Sequence, residues 1–137
     1  MKHSIALSLL LGPALLSWSA LPPRSAPAPD VEHGRYLVHH VAMCIQCHTP
    51  RDAGGHLIME KLLQGESVPV ASPFKEIAWA FHAPHIAGLP GYPHDDAIRL
   101  LTTGVTHNGG GTTPPMPPFR MTKADAEDVV AYLVTLK

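Results

Sequence analysis

The chain has 137 residues, enough for one small domain and too few for two independent cores. Hydrophobic residues make up 45% and charged residues 15%, which permits a packed core and excludes wholesale disorder. A formal net charge of −1 lacks the basic excess of a nucleic-acid-binding surface, so no nucleic acid is expected as a partner.

The first 19 residues read as an export signal. Met1, Lys2 and His3 form a short positive region, and Ile5 to Leu16 is an apolar run. Ser17 and Ser19 are small residues at the two positions a signal peptidase inspects, so cleavage is expected near Ser19 or Ala20. The run is shorter than the roughly 20 apolar residues of a spanning helix, so no membrane span is expected after cleavage. Residues 20–29 follow as a Pro-, Ala- and Ser-rich extended leader, and residues 30–137 form the folded domain.

Asp30 is a suitable N-cap, and Gly34, Leu37, Val38 and Val41 recur at three- and four-residue spacing behind it. A helix is predicted from about Val31 to about Ala42. Between Arg51 and Pro93 the pattern is weaker, and Leu57 to Leu63 fits a helical turn or a loop equally well. A further helix is predicted from about Asp95 to Thr103, acidic in its first turn and closed by Gly104. The clearest helix is the last. Thr122 and Asp125 form a capping signal, Ala126, Val129, Val130, Leu133 and Leu136 share a face, and Lys123, Glu127 and Asp128 lie largely off it. No stretch alternates with period two, and the 15 prolines argue against central strands. The reading is a small all-α domain.

The chain's two cysteines stand in Cys44-Ile45-Gln46-Cys47-His48. Two thiols one helical turn apart, with an imidazole next to the second, suit thioether attachment of one haem c whose iron takes the adjacent histidine. Three other uses of the cysteines compete. A dithiol oxidoreductase sits near a βαβ pattern that this chain lacks. A structural zinc site would recruit further histidines, but His82 and His85 match no familiar zinc spacing. A plain disulfide suits an exported protein. Haem attachment through Cys44 and Cys47, with His48 on the iron, is the reading adopted.

An electron-transfer haem takes a sixth ligand, and a thioether opposite histidine raises its potential. Met116 is favoured because prolines at 114, 115, 117 and 118 restrict its backbone to an extended form. Met59 and Met121 are the other methionines within reach, and His82 and His85 are the alternatives for a bis-histidine haem. The histidines at 33, 39, 40, 56, 94 and 107 are read as solvated or hydrogen-bonded.

These residues resemble the small class I monohaem cytochromes c, and in particular the cytochrome subunits that accept electrons from periplasmic alcohol and aldehyde dehydrogenases. The resemblance rests on Gly34 to Leu37, Cys44 to Pro50, Ala83 to Ile86, Arg99 to Gly104, Pro115 to Pro117 and Val129 to Leu133. It implies the class I fold, with first and last helices crossing around one haem, and His48 and Met116 as axial ligands. It also implies electron transfer in the periplasm rather than catalysis, with redox proteins such as a dehydrogenase and a terminal oxidase as partners. His85 departs from the asparagine often found at that place. Rival readings are a small haem enzyme or a haem-based ligand sensor, each needing an exchangeable sixth ligand.

Overall fold

The computed structural model describes residues 27–137. The expected signal peptide and most of the expected leader lie outside the described residues. Asp30 caps helix α1 (Val31–Tyr36) by accepting from the Glu32 and His33 N–H groups at 3.0 and 3.1 Å. The helix then widens into a π-helical turn, Leu37–Val41, in which the Ala42 N–H reaches back five residues to the Leu37 carbonyl at 2.8 Å. The helical reach expected from the sequence is present, but its second half is wound differently. Leu37 and Val38 are both buried in that turn. Met43, at φ 55°, then reverses the chain into α2 (Ile45–His48), the helix that carries the attachment motif.

Loops occupy most of the stretch to Pro93. The undecided segment resolves into a 3-10 turn, Met59–Lys61, ahead of the buried Leu63. The strands β1 (Glu66–Ser67) and β2 (His82–Ala83) pair antiparallel, Glu66 opposite Ala83. Among the described residues the regular structure is therefore mostly helical, with one small ladder. Two residues per strand are too few to leave a period-two signature, which is why the sequence reading missed it. Helix α3 (His94–Thr103) ends at Gly104, whose φ of 73° is the left-handed cap expected. Helix α4 (Lys123–Thr135) is capped by Thr122, whose hydroxyl oxygen accepts the Asp125 N–H.

The core lies where α4 meets α1 and α3. Ala126, Val129, Val130 and Leu133 are buried as expected, joined by Leu37, Val38, Leu63, Ala97 and Leu101. Gly34 marks the closest approach: a Cβ built there would stand 2.0 Å from the Asp128 carbonyl oxygen and 3.0 Å from the Tyr132 Cβ. Asp128 lies off the apolar face of α4, as expected, and finds partners the spacing could not show. Its side chain turns toward α1, where it accepts the Asp30 N–H at 2.6 Å and pairs with His33 Nδ1 at 2.8 Å. One carboxylate thus ties the start of α1 to the middle of α4.

Two outcomes are expected. Gly34→Ala gains about 0.5–1 kcal/mol of helix propensity, but the overpacking costs about 1–3 kcal/mol. The clash is with backbone, so the denaturant midpoint falls. The second concerns pH. The hydrogen bond to Asp128 raises the His33 pKa above 6.5, more than partial burial lowers it. The folded state binds the proton more tightly, so the pair's contribution is fully present below pH 6.5 and is lost as pH rises through the folded value. Denaturation of parent and His33→Gln across pH should give two curves that converge above that window and separate below it.

Candidate haem site

Helix α2 is little more than one turn: Cys44 stands at its N-cap position without a side-chain capping bond, and its backbone brings Cys47 and His48 round. Two adjoining cavities, of about 240 and 220 Å³, open beside it. Cys44, His48, Pro84, Leu100, Met116 and Phe119 line both. Together they approach the size of a small-molecule or cofactor site. Their walls are mostly apolar, with Leu101, Val129 and Leu133 closing the inner one.

His48 is buried, and its Nδ1 lies 2.8 Å from the Pro84 carbonyl oxygen. A carbonyl only accepts, so Nδ1 carries the proton and donates it, leaving Nε2 with its lone pair. Burial lowers the His48 pKa, opposed by the Pro84 bond and reinforced by the charge of His82. The ring is therefore held neutral, the form that binds metals. Burial pushes the Cys44 thiol up to about 11. A dithiol exchange catalyst needs the reverse shift in its attacking thiol, so the burial of Cys44 argues against that use of the motif. Among the described residues, no three His, Cys, Asp or Glu side chains gather as a metal-ion site, which removes support from the zinc reading.

The methionines separate by location. Met116 lines both cavities together with His48. Met121 packs against the core, its N–H bonded to the Leu101 carbonyl at 3.0 Å, and Met59 is exposed. The Met116 loop is not the extended run expected. Its N–H donates to the Thr113 carbonyl at 3.2 Å, closing a turn, and Pro114 accepts the Ala80 N–H at 2.7 Å. Proline restriction is present, but a turn and a bond from Ala80 on another loop hold the segment that carries the methionine. His82 lines only the outer cavity and His85 only the inner one. Elsewhere His33, His39, His56 and His107 are paired with Asp128, Tyr132, Asp52 and Asp96.

The Pro84 carbonyl that accepts from His48, and the wall residues Leu100 and Phe119, carry no signal in the sequence that would mark them as part of the site. The motif, the neutral imidazole and an apolar cavity on the same residues fit a covalently held haem. No curated protein matches the chain. The family model for cytochrome c matches residues 31–137. The chain thus belongs to the cytochrome c family, with a covalently bound c-type haem and the haem-based electron transfer that the family performs.

Proposed function

We propose that the protein is an exported class I monohaem cytochrome c that passes single electrons between proteins in the periplasm. In this reading it is a free carrier or the cytochrome subunit of an alcohol- or aldehyde-type dehydrogenase, with a terminal oxidase downstream, and it is not itself an enzyme. Cys44 and Cys47 would form the thioethers, and His48 and Met116 would hold the iron. The observation that carries the reading is that His48 and Met116 line the same pair of cavities as Cys44. Packing of α1 on α4 at Gly34 supports the class I arrangement.

The bound haem supplies the one-electron change in oxidation state. The chain's residues hold and shield it. His48 keeps its proton on Nδ1 through Pro84 and presents Nε2. Leu100, Phe119 and Leu133 exclude water, and the Ala80–Pro114 bond anchors the loop that carries Met116.

Docking is proposed at the apolar rim of the outer cavity. Met43 lines that cavity and is exposed, whereas Ile45 packs against the core. Val68, Ala80 and His82 also line it, and between them the chain exposes Val70, Phe74, Ile77 and Phe81. In this reading a redox partner covers these side chains.

Two measurements check the proposal. Met116→Ala should abolish the far-red charge-transfer band of the oxidised protein, lower the reduction potential and admit small ligands to the iron. Met121→Ala should keep the band, and the opposite pattern moves the ligand to Met121. For docking, electron-transfer rate with the native partner should vary weakly with ionic strength. A steep fall on adding salt would mean that charge steers the encounter instead.

A further inference from the structure

Thr49, the residue after His48, is joined by hydrogen bonds to the segment that flanks the Pro84 carbonyl. Thr49 is fully buried, and its hydroxyl oxygen accepts the Leu63 N–H at 3.0 Å. Leu63 stands at φ 58°, a left-handed conformation that leucine keeps only where its surroundings impose it. The Leu63 carbonyl accepts from the N–H groups of Ile86 and Ala87 at 2.9 and 3.1 Å. Two residues later the Gly65 N–H donates to the His48 carbonyl at 2.7 Å. Gly65, at φ 88°, also lets the backbones close: a Cβ there would meet His85 N at 2.8 Å and the Pro84 carbonyl carbon at 3.1 Å. Glu66 then pairs with Ala83. Pro84 is thus held from both sides, by the ladder before it and by the Leu63 carbonyl after it.

We infer that Thr49 is a positioning residue for the haem-facing imidazole: through Leu63 its hydroxyl sets the place of the Pro84 carbonyl, and with it the reduction potential. The inference rests on His48 being an iron ligand, as proposed above. A firmly held Nδ1–H makes the ring a stronger donor to the metal and favours the oxidised state; a loosened acceptor does the reverse. Thr49 touches neither cavity wall directly, so its influence runs through the backbone it fixes.

The test compares Thr49→Val, which keeps the shape and removes the acceptor, with Thr49→Ser, which keeps the hydroxyl, both in the haem-loaded protein. Thr49→Val should shift the balance at a fixed poise toward the reduced form by roughly threefold to tenfold, the upper end being about 59 mV for a one-electron couple. It should also speed solvent exchange of the His48 ring proton. Thr49→Ser should return both readings to the parent's. Val130→Ala, a core truncation lining neither cavity, should lower the denaturation midpoint and leave the potential alone. If Thr49→Val destabilises the protein with potential and ring-proton exchange unmoved, Thr49 only packs and the inference is overturned. If that variant fails to take up haem, the parent decides: the Leu63 amide and the His48 ring proton should show the same protection, and a much faster Leu63 amide overturns the inference. Hyperfine-shifted His48 ring resonances in the oxidised parent check the ligand separately. Their absence defeats the ligand reading, whereas their presence beside an unmoved potential defeats Thr49 alone.

Discussion

Cys44, Cys47 and His48 sit on little more than one turn of helix, and a ring gripped from so short a stretch must be oriented by groups from elsewhere. The hydrogen bond from His48 Nδ1 to the Pro84 carbonyl meets that need. It fixes the tautomer and the ring plane together, and it draws residues far apart in sequence to one place. The β1–β2 ladder, the left-handed Leu63 and the close approach at Gly65 all lie around this bond. In a chain with so small a core, such irregular loop structure persists only where several contacts over-determine it.

The second organising contact is between α1 and α4. Gly34 lets α1 lie against the α4 backbone, and Asp128 fastens the junction through Asp30 and His33. The helix pair then forms the inner support of the cavity, with Val129 and Leu133 of α4 in its wall. Packing and site are therefore one problem: the face of α4 that holds the core also borders the haem cavity.

How much of this was legible beforehand follows from the range of each signal. Caps are local, so Asp30, Thr122 and Gly104 marked three helix boundaries correctly within a residue or so. The apolar face of α4 was legible because its spacing repeats over a long helix. The attachment motif was legible because its chemistry sits in adjacent residues. What escaped depends on partners remote in sequence. The spacing placed Asp128 off the apolar face of α4, but its partners Asp30 and His33 stand 98 and 95 residues away and left no local signal. The acceptor for His48 is a backbone carbonyl, which any residue type provides. The Met116 turn answers to Ala80, on another loop, and the π-helical winding of Leu37–Val41 has no counterpart in side-chain spacing.

The excursion from Val68 to Phe81 has a mechanical consequence. It is closed at its mouth by the Val68–Phe81 backbone bond and internally by the Trp79 indole on the Val70 carbonyl, while Phe74 and Ile77 stand exposed. Exposed loops of this kind are where proteases cut first. A nick there would divide the chain into one piece with α1 and the attachment motif and another with Met116, α3 and α4. Those pieces would stay clasped through Asp128 and through the Leu63 carbonyl on Ile86 and Ala87. Cleavage there would therefore leave the two pieces clasped and the protein coloured until a denaturant parted them, while the partner-facing side chains of the excursion would lose their fixed placement.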